Sequence, residues 1–133
     1  MTPLLTGIYT LFSALPHNTF YNAIGGRLYH ANAPQEATFP YCVVESVSHE
    51  YDWNFTDTFE SVLIQFSIFT EERSASNIGV HWNKLATLFD DAAVSVSGYN
   101  EISMIRQQSR LLRDIENNIW QYVVEYECFL EKS

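Results

Sequence analysis

The sequence predicts an α+β fold: a single two-layer domain over residues 1–133, with two main helices on one face of an antiparallel sheet of at least four strands. Three stretches carry this prediction. Residues 60–70 and 119–130 alternate apolar and other side chains as strands do, and residues 75–91 repeat apolar side chains at helical spacing. The chain length and a hydrophobic fraction of 47% favour one domain with its own core.

The N-terminal part of the chain predicts one helix and one short strand. Apolar residues recur at helical spacing from residue 4 until Pro16 ends the run, and residues 17–22 are interpreted as a connection. The pair Gly25 and Gly26 predicts a turn, which leads into a short strand at residues 27–30.

The second strand is predicted at residues 41–49, with an odd-numbered face that continues through an aromatic series. Its partner begins at Phe59, so the two strands are expected to extend beyond the core as a hairpin arm that turns near residues 56–58. Aromatic residues are enriched in the centres of protein interfaces. The arm is therefore a candidate interface, although its aromatic residues could instead cover the end of the core; its candidate residues are Tyr51, Asp52, Trp53, Asn54 and Phe55.

The central strand at residues 60–70 places Val62, Ile64, Phe66 and Ile68 on one wholly apolar face. The other face is about half apolar, so both faces are expected to be covered. The helix that follows, at about residues 75–91, should pack back on this sheet.

The C-terminal part predicts a hairpin of two strands joined by a turn at residues 114–118. In the simplest register, Arg106 and Arg110 lie across from Glu125 and Glu127 on the solvated side. No acidic residue occurs between Ile102 and Arg113, so the basic strand could instead contact a partner's carboxylates or a phosphate. The candidate interface residues here are Arg106, Arg110 and Arg113.

Composition argues against several classes of function. A formal net charge of −9 is unfavourable for a protein whose main task is to wrap nucleic acid. The N-terminal apolar segment is interrupted by polar residues, so neither a signal peptide nor a membrane span is predicted, and we expect the chain to work in a cytoplasm or to leave by another route. The cysteines, Cys42 and Cys128, are expected to be buried thiols.

The sequence contains no recognisable catalytic or ligand-binding motif. The four histidines lack the spacing that places two imidazoles on one metal, and Gly25 with Gly26 lacks the lysine and long helix of a phosphate-binding loop. Adjacent acids such as Glu71 and Glu72 are typical of solvated helix ends. We therefore expect no catalytic residues, no cofactor and no metal, and hence no enzyme.

Two segments carry a resemblance to a known family. Residues 25–48, GGRLYHANAPQEATFPYCVVESVS, resemble the tail completion proteins of long non-contractile-tailed bacteriophages, in which a G-G-R-hydrophobic-Y segment leads to A-P-x-x-A-x-x-P-Y and then a strand. Residues 65–85, QFSIFTEERSASNIGVHWNKL, are similar to the family's strand and main helix. The resemblance extends over nearly the entire chain.

The resemblance implies a structural role in a virion and no catalytic residues. Such proteins form a ring, usually a hexamer, at the head-proximal end of the tail tube, where they terminate tube growth and join the tail to the head connector. The implied partners are further copies of the chain, the tail tube protein and a connector or stopper protein. DNA would pass through the lumen without specific binding, no membrane would be involved, and assembly would take place in the host cytoplasm.

Two alternatives remain at this point. The chain could be another head-tail connector or a minor tail structural protein. It could also be a small ligand-binding domain or an enzyme, which would require a convergent polar pocket.

Overall fold

A computed structural model of the protein describes residues 2–53, 58–71, 76–90, 92, 94 and 98–132. In chain order its elements are α1 (Thr2–Ser13), α2 (Thr19–Ala23), β1 (Leu28–His30), β2 (Tyr41–Trp53), β3 (Thr58–Glu71), α3 (Ser76–Phe89), β4 (Tyr99–Asp114) and β5 (Ile119–Lys132). The predicted α+β class is confirmed, and the predicted strands and main helices lie close to their expected bounds.

The five strands form one sheet in the order β1-β2-β3-β5-β4. Antiparallel pairing joins β2 to β3, β3 to β5 and β5 to β4, whereas the short β1 runs parallel to β2. The strands β3 and β5 therefore lie in the middle, and β4, the longest strand with 16 residues, forms one edge of the sheet. At the other edge, β1 covers only the first part of β2.

The sheet has one face covered by helices, here called the helix face, and an opposite face, here called the open face. The central strand turns Val62, Ile64, Phe66 and Ile68 to the helix face, where each is fully buried. Leu63, Gln65 and Phe69 lie on the open face and are only half-buried. Both faces were expected to be covered. Among the described residues, helices cover the helix face alone.

The core is built around Phe66 in the centre of the sheet. Its ring stacks on Phe89 of α3 with centroids 4.7 Å apart, and meets the Tyr126 ring of β5 edge-on at 5.8 Å. Leu4, Ile8 and Phe12 of α1 belong to the same buried cluster. Complete burial of such side chains contributes about 1.5–3 kcal/mol each, so this cluster is the main source of stability. It holds α1 and α3 against the helix face.

Register shifts at three places change which side chains share a face. They lie between Ser46 and Ser48 in β2, and in β4 between Tyr99 and Glu101 and between Arg106 and Gln108. An extra residue in one strand reverses the alternation of faces beyond it, because the side-chain period of a strand is two.

Because of the bulge in β2, the predicted odd-numbered aromatic face is not found among the described residues. Tyr51 pairs with Glu60 and Trp53 pairs with Thr58, so these register positions fall in the same rows as the helix-face series of β3. Tyr41 lies in the alternate series, opposite Phe69 on the open face. The odd-numbered series is therefore not continuous along β2.

The predicted free arm is also different in the structure. The pairing of β5 with β3 continues as far as Phe59, which is opposite Glu131. The end of the β2–β3 hairpin is thus part of a wider sheet and not an isolated two-stranded projection. The predicted turn at residues 56–58 lies largely outside the described residues, as do Asn54 and Phe55.

A short helix, α2, replaces the connection that was predicted at residues 17–22. Asn18 explains why it forms: its side-chain oxygen accepts a hydrogen bond from the Tyr21 backbone N–H at 2.8 Å. The side-chain nitrogen of the same residue donates to the carbonyl oxygen of Phe12 at 2.9 Å. One asparagine thus ends α1 and begins α2, and the predicted glycine turn follows at Gly25 and Gly26, both with positive φ.

Candidate interface surfaces

The edge strand β4 is the most exposed element of the described chain. Residues 105–114 are all exposed, and β4 pairs only with β5 among the described strands. Three of its apolar side chains, Ile105, Leu111 and Leu112, are 42–43% exposed. A long edge strand of this kind presents unpaired backbone N–H and C=O groups that can pair with another chain.

The Arg106 side chain contacts residues of its own chain. It lies opposite Tyr126 in the β4–β5 register, and not opposite Glu125 or Glu127 as predicted. Its guanidinium lies 5.1 Å from the centre of the Trp82 ring, and one of its nitrogens is 3.5 Å from a carboxylate oxygen of Asp90. The bulge after Arg106 turns it to the helix face, where α3 supplies these contacts.

Arg113 makes a similar intramolecular contact. Its guanidinium lies 4.8 Å from the centre of the Trp120 ring, which is its partner in the β4–β5 register. Cation–π contacts of this kind contribute about 0.5–1 kcal/mol at exposed sites. Arg113 therefore also lies on the helix-face side, over an aromatic neighbour.

Arg110 differs from the other two arginines. It is opposite Val123, which places it on the open face, and the predicted partner Glu125 accepts a hydrogen bond from Gln108 at 2.8 Å instead. No described residue forms a hydrogen bond or an ion pair with the Arg110 guanidinium. The predicted cross-strand ion pairs are therefore wrong in register, and Arg110 is an exposed cation at the sheet edge.

The edge of the sheet opposite β4 carries acidic residues. The strand β1 pairs with β2 only from Cys42 to Val44. Beyond that point, residues 45–53 of β2 pair only with β3 among the described strands, and they include Glu45, Glu50 and Asp52 but neither Lys nor Arg. We call this segment the β2 edge; it contains the candidate residues Tyr51, Asp52 and Trp53, whose backbone lies in the strand.

The turn between β4 and β5 is ordered by its first residue. Asp114 accepts hydrogen bonds from the side chain of Asn117 at 2.9 Å and from its backbone N–H at 3.4 Å. These bonds lower the pKa of the Asp114 carboxyl, with the Asn117 side chain as the main cause. The predicted turn is confirmed, and it presents Ile115 to solvent with 74% exposure.

The surface also has shallow grooves. One open groove of about 420 Å³ lies between α1 and β1, and is lined by Leu5, Thr6, Tyr9, Thr10, Leu28, Tyr29, His30 and Val44.

Three further observations concern possible metal ligands, the two cysteines and membrane-spanning helices. Within the described residues, no group of His, Cys, Asp and Glu could hold a metal ion. Both Cys42 and Cys128 are buried free thiols, and burial raises the pKa of each. No helix in the described part of the chain combines the length and the apolar character needed to cross a membrane.

Comparison with known proteins shows a likeness of fold but no match to a family. No protein family matches the chain, and no curated protein matches it either. Among solved structures, a chain from the virion of a native gene transfer agent particle aligns with 98% of this chain and 96% of its own length, with a TM-score of 0.80 and 12% identity. The two chains share one fold. The likeness extends over nearly the whole length of both chains.

Proposed function

We propose that this protein is a structural component of a phage virion, and that it forms a ring at the head-proximal end of the tail tube. There it would stop tube growth and join the tail to the head connector. The observation that carries the proposal is the fold shared over the full chain with a protein of the gene transfer agent virion. The tail-completion motifs at residues 25–48 support the more specific role.

The surface of the chain supports assembly as its function. The sheet has two different edges, β4 and the β2 edge, and a subunit of a closed ring needs two different contact surfaces. The partners proposed are therefore further copies of the chain, most simply six in all, together with the tail tube protein and a head connector or stopper protein. The net charge of −9 would let DNA pass through the ring without binding strongly.

The decisive experiment is an early stop codon in this reading frame of the phage that encodes it, with electron microscopy of the lysate. We expect full heads beside unattached tails, many of them overlong, because tube growth would lack its terminator. A plasmid copy of the intact gene should restore joined particles, which controls for effects on neighbouring genes. Normally joined particles in the absence of the protein would refute the role.

A second candidate is another connector or minor tail position, which the same fold would suit. The two are distinguished by tube length: a connector mutant should give unattached tails of normal length. A label on the protein, located by microscopy on particles or on isolated tails, would show directly which end it occupies.

A further inference from the structure

We propose that the copies of this chain join edge to edge, with β4 of one subunit adding to the β2 edge of the next, so that the sheets become continuous around the ring. This inference rests on the proposed ring function and specifies the contact that builds the ring. The occupant of each edge is thus a second copy of the same chain. Three independent features of the described residues support it.

The first feature is strand direction. The pairs β2–β3, β3–β5 and β5–β4 are all antiparallel, so β2 and β4 run in opposite directions within one subunit. A neighbour in the same orientation would therefore set its β2 antiparallel to β4. Antiparallel pairing needs no crossover connection and has the more favourable hydrogen-bond geometry. The contact is head-to-tail, which is the type that closes into rings.

The second feature is the space available at each edge. The three residues of β1 cover only Cys42–Val44, which leaves residues 45–53 of β2 without an outer neighbour among the described strands. On the other side, all 16 residues of β4 have β5 on one side only within the described chain. The exposed apolar side chain of Ile105 in β4 would be covered by such a contact.

The third feature is charge. Residues 102–113 of β4 include three arginines and no acid, whereas residues 45–53 of β2 include three acids and neither Lys nor Arg. The formal charges of these two segments are therefore +3 and −3, with His neutral, and β4 as a whole, which also contains Glu101 and Asp114, keeps a net positive charge. Opposite charges on neighbouring strands stabilise pairing and like charges oppose it, so β4 is suited to β2 and not to a second β4.

The side chains best placed for direct contact are Arg110 and Glu45. They lie in rows two residues apart: Val43, Ser67, Val123 and Arg110 form one row across the sheet, and Glu45, Gln65, Glu125 and Gln108 form the next. Both side chains are therefore on the open face. Within one subunit, three strand spacings of about 4.8 Å separate them, which is too far for an ion pair. In a continuous sheet they would lie on adjacent strands.

The test uses charge reversal at these two positions, Arg110→Glu and Glu45→Arg. Either variant alone would place like charges on every subunit contact. When the two variants are mixed, each contact between different variants restores an opposite pair, so a ring with an even number of subunits could form from alternating copies. Misfolding of either variant could not be cured by mixing. Glu36→Arg, at an exposed loop position, makes the same charge change away from both edges and serves as the matched control.

The variants are supplied from plasmids to phage that lack the gene, and infectious particles are counted. We expect the wild-type chain and Glu36→Arg to restore the titre. Each single reversal should lower it by at least about tenfold, as for like charges placed across an interface, and co-expression of the two should recover most of the loss. Full activity of both single variants, or no recovery on co-expression, would overturn the edge contact while leaving the ring function intact.

Failure of the wild-type chain to restore the titre would instead refute the proposed function. The edge contact is then judged from sedimentation velocity of the purified proteins at low salt. An equimolar mixture of the two reversed variants should sediment faster than either alone. Identical sedimentation of the mixture and the separate variants would refute the edge contact.

Discussion

The hydroxyl of Tyr126 donates a hydrogen bond to a carboxylate oxygen of Asp90, with 2.6 Å between the two oxygens. Asp90 follows α3 directly, and its other carboxylate oxygen lies 3.5 Å from Arg106 of β4. This carboxylate therefore joins the end of the main helix to two neighbouring strands. The Tyr126 side chain is fully buried, so little water competes for the bond.

Replacement of Tyr126 by Phe should remove this bond and keep the ring packing. We expect the free energy of unfolding to fall by about 2 kcal/mol, because the bond is charge-assisted and its loss leaves a partly buried carboxylate. Urea unfolding followed by tryptophan fluorescence measures it. The control is Tyr122→Phe, because the Tyr122 hydroxyl donates a hydrogen bond to Ser109 at an exposed site. This change should lower the free energy of unfolding by less than about 0.5 kcal/mol. Equal losses in both variants would contradict the role of Asp90.

Arg106 and Arg110 should separate stability from assembly. Replacement of Arg106 by Gln removes its contacts with Asp90 and Trp82. We expect a loss of about 0.5–1 kcal/mol in the free energy of unfolding, a small value because 44% of the Arg106 side chain is exposed to screening water. Replacement of Arg110 by Gln should change it by less than about 0.5 kcal/mol. The same variants, supplied to phage lacking the gene, should show the greater loss of joined particles for Arg110→Gln.

Gly26 and Gly79 should respond to alanine in opposite directions. A Cβ at Gly26 would lie 2.8 Å from the Tyr21 ring, and the backbone has a φ of +72°. We expect Gly26→Ala to cost about 2 kcal/mol through this contact and the left-handed backbone. A Cβ at Gly79, inside α3, meets nothing within 4 Å, so Gly79→Ala should raise stability by about 0.5–1 kcal/mol. Thermal unfolding by circular dichroism measures both, and stabilisation by Gly26→Ala would contradict the turn geometry.

The buried thiols should make the protein less stable in alkali. Burial, the largest cause, raises the pKa of Cys128 from 9.0 to about 12, and burial also raises the pKa of Cys42. Above pH 9 the unfolded chain loses thiol protons that the folded chain retains, so the free energy of unfolding falls as the pH rises. The limit is about 1.4 kcal/mol per pH unit for each thiol, and the stability contribution is fully present below pH 9.

The Cys128 contribution can be isolated with Cys128→Ala. The variant should be less stable than wild type at pH 7 because it leaves a cavity, and the difference should shrink between pH 9 and pH 11 as the wild type loses its thiol contribution. Urea unfolding across this pH range measures the difference. A constant difference would mean that Cys128 titrates normally in the folded protein.

The main elements of the fold follow from local patterns in the sequence. The alternation around Phe66 and the helical spacing around Leu85 predict β3 and α3, because each pattern buries one face only when the chain adopts that period. The turn before Ile119 follows from turn-forming residues. The helix α2 was missed because its 5 residues are too few to show a period, and the signal that could have found it is Asn18, a good N-cap.

The exposed edges were harder to predict than the strands themselves. Sequence reasoning selected the three arginines of β4 as interface candidates, and the structure places all of them on an edge strand, but on two different faces. The acidic β2 edge was not recognised as the surface that is now proposed to pair with them. Strand order depends on contacts between segments far apart in the chain, and no local pattern records which strand ends at an edge.

By itself, the sequence determined the fold class, the periods of its strands and helices, the turns, and an unbalanced charge, because each depends on neighbouring residues. Only the tertiary structure determined which face of the sheet each side chain occupies. One extra residue after Arg106 and another after Ser46 reverse the alternation of faces, and a strand accepts such a bulge only where the rest of the sheet holds its partner in register. The pairing of whole strands therefore determines that Arg106 contacts Asp90 while Arg110 is exposed on the open face.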